Sequence, residues 1–157
     1  MTHASHYTRA GEFYWQDYRL HIITNLGDGS PPFHLAGITS FPGVVALGEA
    51  LAEYGEARYG TFRDGELRTW RSDYIPAGLL TDLEDNTPME NVDNVDGTAT
   101  FIDNIQGFTP AMYFDVLHPA IRNILSFRDA LGNAHLSSTP NTLLDYNNFV
   151  DNYDEFN

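Results

Sequence analysis

The stretch RYGTFRDGELRTWRSDYI, residues 58–75, carries the clearest local fold signal in this chain. Asp64-Gly65 at its centre suits a two-residue type I′ turn, because both central residues of that turn need a positive φ. The register set by such a turn places Tyr59 opposite Trp70, an aromatic pair of the kind that stabilises antiparallel strands. The sequence therefore predicts a β-hairpin here.

The same register creates a need for negative charge beside the hairpin. Arg58 falls directly opposite Arg71, and two like charges in that position destabilise a sheet unless an anion lies nearby. Seven carboxylates and no Lys or Arg lie between Asp82 and Asn104. We therefore expect the acidic loop 82–96, or the C-terminal segment, to contact the hairpin within one chain or between subunits.

Three other segments have the composition of strands. FYWQDYRLHIIT, residues 13–24, alternates moderately and is rich in aromatic and β-branched residues. A turn-rich segment follows it, and FHLAGIT, residues 33–39, then reads as a returning strand. TATFIDNI, residues 98–105, reads as a strand that follows the acidic loop.

Helical spacing appears in three places. Apolar residues recur at intervals of three and four over residues 42–56, which predicts a helix. A second helical segment begins near Pro110 and is interrupted at Pro119, with Gly132 as its C-terminal cap. A third, short helix is expected to begin with Thr139 as N-cap and Pro140 as its first residue.

These elements predict an α+β fold, with antiparallel β-hairpins or a sheet, two to four short helices and polar terminal arms. The predicted organisation is an N-terminal arm over residues 1–12, a single α+β domain over residues 13–136, and a C-terminal helix with an acidic arm over residues 137–157. The Gly residues within 42–56 are expected to permit close packing of that helix against the sheet.

Composition limits the classes of protein that fit. The chain has 157 residues, of which 42% are hydrophobic and 13% aromatic, enough for one packed domain. The absence of Cys excludes disulfides, thiolate metal ligands and Cys nucleophiles. No apolar run approaches the ~20 residues that a membrane span needs. The first twelve residues lack the apolar middle of a signal peptide.

The net charge is −14, and all eight basic residues are Arg. A field of this sign repels nucleic-acid phosphates and anionic lipid, so we expect no nucleic-acid partner and no membrane insertion. A sequence with many carboxylates and no Lys is typical of proteins from salt-loving organisms. A GC-rich genome also favours Arg over Lys and is an alternative explanation. Six of the Arg residues lie within residues 9–71, which leaves the second half of the chain acidic.

No metal or cofactor site is predicted. A near match to a calcium loop has Val92 where the first ligand should be Asp, and a strand where the exiting helix should be. An irregular cation site remains a weaker alternative, with candidate ligands Asp93, Asn94, Asp96 and Asp103. A zinc site is also conceivable, with His21, His34 and either Asp17 or Asp28 as ligands. It is a weaker alternative to the interpretation that these histidines bind no metal.

No nucleophile elbow or phosphate loop is present. The aromatic residues near the N-terminus, together with Glu12 and Asp17, would suit a sugar site, but such residues are more often core or interface. Aromatic residues in the terminal segments instead favour docking on other chains.

The resulting functional hypothesis is a non-enzymatic structural or assembly subunit of a multi-protein particle, such as a virion, tail or capsid-associated component. Its partners would be copies of itself or other structural proteins, in a virion or extracellular assembly, or otherwise in the cytoplasm. The alternatives are a small carbohydrate-binding or hydrolytic domain with an aromatic and carboxylate cleft, and a cation-dependent adhesion module. The expected interface residues are Arg58, Tyr59, Arg63, Arg68, Trp70, Arg71, Asp82, Glu84, Asp85, Tyr146, Phe149, Tyr153 and Phe156.

Overall fold

The computed structural model describes residues 2–25, 42–59, 79–84, 91–92, 101–102 and 105–151. The helices are α1 (Thr2–Asn25), α2 (Pro42–Tyr59), α3 (Leu79–Glu84), α4 (Pro110–Val116), α5 (Ile124–His135) and α6 (Leu143–Asp151), with a 3-10 turn at Leu136–Ser138. Two short strands, β1 (Asn91–Val92) and β2 (Phe101–Ile102), pair antiparallel with Asn91 opposite Ile102.

The predicted α+β fold is wrong, because the described part of the chain is predominantly helical. Its β-structure is a single pair of two-residue strands, and Phe101–Ile102 is all that the described residues show of the strand predicted over 98–105. Residues 33–39 lie outside the described residues. So does the hairpin stretch, apart from Arg58 and Tyr59, which lie in the last turn of a helix rather than in a strand.

Helix α1 contains the whole segment 13–24 that its composition assigned to a strand. The inward residues Tyr14, Tyr18 and His21 are four and three positions apart, so they share one face of a helix. Burying that face against α2 outweighs the weak strand preference of aromatic and β-branched residues.

A bend at Gly11 divides α1 into two helical pieces. The φ of Gly11 is 81° and its ψ is 173°, a conformation that is essentially restricted to glycine. The piece before the bend is not a polar arm, because His6 and Ala10 are buried. The bend places both buried side chains beside Tyr14 on the same side of the molecule.

Helix α2 confirms the helix expected at residues 42–56 and extends it to Tyr59. It lies at the centre of the fold, and most of those side chains whose placement the structure describes are buried. Its glycines permit close packing against helices rather than a sheet. A Cβ atom at Gly48 would lie 3.3 Å from the Tyr18 ring of α1, and one at Gly43 would lie 2.6 Å from Asn123 Cβ.

The main core lies between α2 and the helices α3 to α6. It includes Leu47, Leu51 and Tyr54 of α2, Leu80 and Leu83 of α3, Tyr113 of α4, Phe127 and Leu131 of α5, and Tyr146, Phe149 and Val150 of α6. A smaller cluster of Ala10, Tyr14 and Val44, with Trp15 and Tyr18 against it, joins α1 to α2. The C-terminal helix is therefore part of the core and not a polar arm.

The boundaries of α5 differ in part from those expected. The helical segment does break near Pro119, but α5 begins with Asn123 as N-cap. Asn123 Oδ1 accepts from the Ser126 N–H (2.8 Å), and Ser126 Oγ accepts from the Asn123 N–H (3.0 Å), which forms a capping box. Gly132 lies inside the helix and not at its C-terminal cap.

Helix α6 begins later than predicted. The Asp145 N–H donates to the hydroxyl oxygen of Thr142 (3.1 Å), directly before the first helical residue. Thr139 instead donates its hydroxyl to the Leu136 carbonyl (2.8 Å) and follows the 3-10 turn. The expected start at Thr139 and Pro140 is therefore wrong by three residues.

Candidate docking surface

Helix α1 presents apolar side chains to solvent. Phe13, Leu20 and Ile23 are 75%, 55% and 67% exposed. At 100° per residue they fall within an arc of ~80° on the helix, with exposed Gln16 between them. We call these four residues the α1 face. Full burial of an apolar side chain of this size is worth roughly 1.5–3 kcal/mol, so the face has a substantial tendency to be covered.

The opposite side of α1 is fixed on α2 by the buried Tyr14 and the partly buried Tyr18. The Tyr14 hydroxyl donates to the Val44 carbonyl, and the Tyr18 hydroxyl donates to the Glu49 carboxylate. Burial raises the pKa of both tyrosines well above the ordinary value, and the bond to Glu49 raises the pKa of Tyr18 further. Both phenols therefore remain protonated donors, and they hold the α1 face in one orientation.

An ion pair and a cation–π contact fix the same helix from a second direction. Arg122, which precedes α5, pairs with Asp17 of α1. Its guanidinium carbon also lies 6.0 Å from the centre of the Tyr14 ring. The α1 face is therefore carried by a helix anchored on α2 and on the segment before α5.

A second exposed apolar patch lies on the first turn of α6. Leu143 and Leu144 are 61% and 69% exposed. The other side of α6 is buried in the core, where the Tyr146 hydroxyl donates to the Arg128 carbonyl (2.9 Å). We call Leu143 and Leu144 the α6 patch. Like the α1 face, it lies on an anchored helix.

The structure brings together two of the residues expected at an interface. Arg58 Nη2 lies 3.2 Å from Glu84 Oε1, and the Tyr54 hydroxyl donates to Glu84 Oε2 (2.8 Å). The pair joins α2 to α3 within one chain. Because Arg58 is largely exposed, the pair contributes only ~0–1 kcal/mol.

Three other expected interface residues are buried inside the chain. Asp82 of α3 and both Tyr146 and Phe149 of α6 are at most 3% exposed. They contact the chain's own core and present almost no surface to a partner. Tyr59 lies at the end of α2. The remaining expected interface and metal residues lie outside the described residues: Arg63, Arg68, Trp70, Arg71, Asp85, Asp93, Asn94, Asp96, Asp103, Tyr153 and Phe156.

The aromatic residues considered for a sugar site pack on one another. The Trp15 ring lies 4.8 Å from the Tyr18 ring and 5.8 Å from the Tyr14 ring, measured between centroids. The centroids of the His6 and Tyr7 rings lie 5.4 and 6.4 Å from the centroid of the Trp15 ring. These aromatic side chains therefore form a cluster in which each ring packs against its neighbours.

The zinc alternative gains no support from the part of the chain that is described. No group of three His, Asp or Glu side chains is placed there to hold a metal ion. His21 is buried on α1, whereas His34 and Asp28 lie outside the described residues.

The sequence interpretation missed both exposed patches. Phe13, Leu20 and Ile23 are seven and three positions apart, which is helical spacing, but the segment was interpreted as a strand. Leu143 and Leu144 lie in the segment predicted to form the third, short helix, and the sequence analysis made no prediction about their exposure. A period of 3.6 over 13–24 would place these three residues on one helix face, but it does not show whether that face is covered.

Comparison with known protein families, curated proteins and solved structures gave no match. Among the described helices, none combines the length and the apolar character needed to cross a membrane.

Proposed function

We propose that the chain is a non-enzymatic assembly subunit of a multi-protein particle and that it contacts a neighbouring subunit through the α1 face. The observation that carries this proposal is the exposure of Phe13, Leu20 and Ile23 together on one side of an anchored helix. Large apolar side chains exposed together on one side of a helix are characteristic of contacts between proteins.

The charge of the chain affects when such a contact forms. At −14, copies of the chain repel one another at low ionic strength. The screening length falls to about 10 Å at 0.1 M salt and about 3 Å at 1 M. Apolar burial at the α1 face then exceeds the repulsion, so assembly should increase with salt.

A virion is the particle that we favour. An acidic, Lys-free subunit suits a particle exposed to high salt, and its surface charge disfavours contact with the packaged nucleic acid. The chain would then belong to the outer structure of the particle, in contact with other protein subunits.

Light scattering of the purified protein from low to molar salt tests the proposal. The wild-type chain should form a defined oligomer or polymer whose mass rises with salt. Leu20→Asp places a charge in the α1 face and should abolish association while circular dichroism stays unchanged. Asn133→Asp adds the same charge at an exposed position on α5 and serves as the matched control.

Two outcomes would overturn the proposal. One is a wild-type monomer at every salt and protein concentration. The other is an oligomer that Leu20→Asp and Asn133→Asp weaken equally, because the general charge of the chain, and not the α1 face, would then govern assembly.

A further inference from the structure

We infer that the α1 face is covered by the α1 face of a second copy, with the two helices antiparallel about a two-fold axis at Gln16. This inference rests on the proposed function and adds the identity of the partner surface. Phe13 and Leu20 are seven residues apart, with Gln16 between them. A two-fold axis at Gln16 therefore sets Phe13 of each copy against Leu20 of the other, so one surface makes the same apolar contact twice.

Two opposite charges border the α1 face on one side. At 100° per residue, Glu12 and Arg19 lie within ~20° of each other on the helix, beside Gln16 and Ile23. Both are exposed, and neither has an oppositely charged partner among the described residues. Glu12 Oε1 accepts from the Gln16 amide (3.2 Å), and Arg19 Nε donates to the Trp15 carbonyl (3.1 Å), so both charges stay on α1 itself.

Antiparallel packing makes this border complementary to itself. A two-fold axis perpendicular to both helices keeps the same border on the same side of the contact and reverses its direction. Glu12 of one copy then faces Arg19 of the other, level to within about 1.5 Å along the helix when the two-fold axis passes through Gln16. The symmetry forms this ion pair twice. Opposite charges across an interface favour association and fix its register.

The other charges of α1 agree with the antiparallel orientation. Arg9 lies before the bend, on the other helical piece. Asp17 lies at the opposite border of the α1 face and is paired with Arg122. A parallel contact would set Arg19 beside Asp17, whose carboxylate already has a partner, and would leave Glu12 without a cation on the facing border. The antiparallel contact instead gives each of the two border charges a partner of its own.

The contact is small, and it closes on itself. A two-fold contact joins the same surface of both copies, so it stops at a dimer. The α1 face has only four side chains, and the chains repel each other at low salt, so the dimer should be weak. It supplies a paired building block, and a larger particle needs further contacts elsewhere on the chain.

Exchange of the two border charges tests the inference. Glu12→Arg and Arg19→Glu each place two like-charged pairs across the two-fold axis, so each should raise the dimer Kd about tenfold, the size of two exposed ion pairs. The double variant Glu12→Arg/Arg19→Glu restores both pairs and should associate like the wild type. An equimolar mixture of the two single variants should form a heterodimer for the same reason. Light scattering over a range of protein concentrations, at one salt concentration, measures each Kd.

The general charge of the chain predicts a different result. Glu12→Arg makes the net charge less negative by two units, which by itself favours association, whereas Arg19→Glu makes it more negative by two. Weakening by both variants is therefore specific to charge pairs across the contact. Asn133→Arg, at an exposed position on α5, is the control and should not weaken association.

A disulfide provides a second measurement, because the chain has no Cys. Gln16→Cys places a thiol at the two-fold axis, beside the same thiol of the other copy. Mild oxidation should therefore link the two chains, and a non-reducing gel measures the linked fraction. Asn133→Cys is exposed on α5, outside the contact, and should remain unlinked at the same protein concentration.

The outcomes separate this inference from the proposed function. If Leu20→Asp abolishes association but Glu12→Arg strengthens it, the α1 face binds a different surface, and the symmetric contact is wrong although the assembly proposal stands. The same holds if Gln16→Cys links no more than Asn133→Cys. A double charge variant as weak as the single variants also overturns the inference. A wild-type monomer under all conditions overturns both.

Discussion

Gly11 sets the direction of the N-terminal helical piece. Its backbone has a φ of 81° and a ψ of 173°, which a residue with a Cβ atom adopts only with strain. A Cβ atom there would lie 3.6 Å from Pro119 Cγ, an ordinary contact, so the strain is in the backbone and not in a clash. We expect Gly11→Ala to lower the free energy of unfolding by ~1–3 kcal/mol, measured by denaturant titration.

The neighbouring residue supplies the control for that variant. Glu12 is exposed and helical, so Glu12→Ala should change the stability by less than ~0.5 kcal/mol. Equal losses in the two variants would show that the bend at Gly11 carries no backbone strain.

Asn123 stabilises the start of α5. Its side chain accepts from the Ser126 N–H, which otherwise has no partner in the first turn of the helix. Asn123→Ala should therefore lower the stability by ~0.5–2 kcal/mol and reduce the thermal unfolding midpoint.

Asn123→Ser should retain most of that stability, because serine also caps helices. Asn133→Ala, on the exposed side of the same helix, is the matched control and should have little effect. A loss for Asn123→Ser as large as that for Asn123→Ala would contradict the capping role.

At the scale of elements, the sequence predicted α2 well and α1 poorly. In α2 the inward residues Val44, Leu47, Leu51 and Tyr54 recur at three and four, and no strand-forming run competes. In α1 the same spacing is filled by Tyr14, Tyr18 and His21, and the aromatic and β-branched residues of the segment also suit a strand. The helix wins there because α2 buries its inner face, and that is a tertiary effect.

Tertiary packing also explains the misplaced end of α5. A glycine after a helical run usually marks its end, but a Cβ atom at Gly132 would lie 3.0 Å from the Tyr146 ring. The glycine is thus needed for the approach of α6. The candidate docking surface was unpredictable for a related reason, since the exposure of Phe13 and Leu20 depends on which face of α1 the other helices cover.

The central position of α2 leads to a prediction about core packing. Leu51 is fully buried among side chains of the neighbouring helices, so Leu51→Ala should cost 2–5 kcal/mol, about the range for buried leucines. Leu144→Ala removes the same atoms from an exposed site and should change the stability of the monomer by less than ~0.5 kcal/mol. Urea unfolding measures the loss of unfolding free energy in each of the two variants. Similar losses would contradict the burial of α2.

At the scale of the whole molecule, the chain combines a large negative charge with a tyrosine-rich core. The ion pairs between described residues use Arg58, Arg122 and Arg128, whereas the sequence contains 22 acidic residues. The sequence has 22 acidic residues and eight Arg, so negative charges outnumber positive ones by 14, and the resulting repulsion must be offset by buried contacts. Several of those contacts are made by tyrosine hydroxyls, so the stability of the fold should depend on their protonation.

Burial raises the pKa of Tyr14, Tyr113 and Tyr146 above the ordinary value of 10.0. Below pH 10 the folded and unfolded chains both keep these protons, so stability is unaffected. Above it the unfolded chain releases protons that the folded chain retains, and stability falls. The loss should be ~1.4 kcal/mol per pH unit for each tyrosine.

Tyr113→Phe tests this linkage directly. Tyr113 donates to the Leu80 carbonyl (2.8 Å), so the variant should lose ~1 kcal/mol at neutral pH but should show a shallower decline in stability above pH 10. Urea titrations from about pH 7 to about pH 11 measure the slope. Phe127→Leu, at a neighbouring ring, should lower the stability equally at all pH values, because it removes packing and no proton. If the decline in stability above pH 10 is as steep in Tyr113→Phe as in the wild type, Tyr113 does not contribute to it and the expected linkage is wrong.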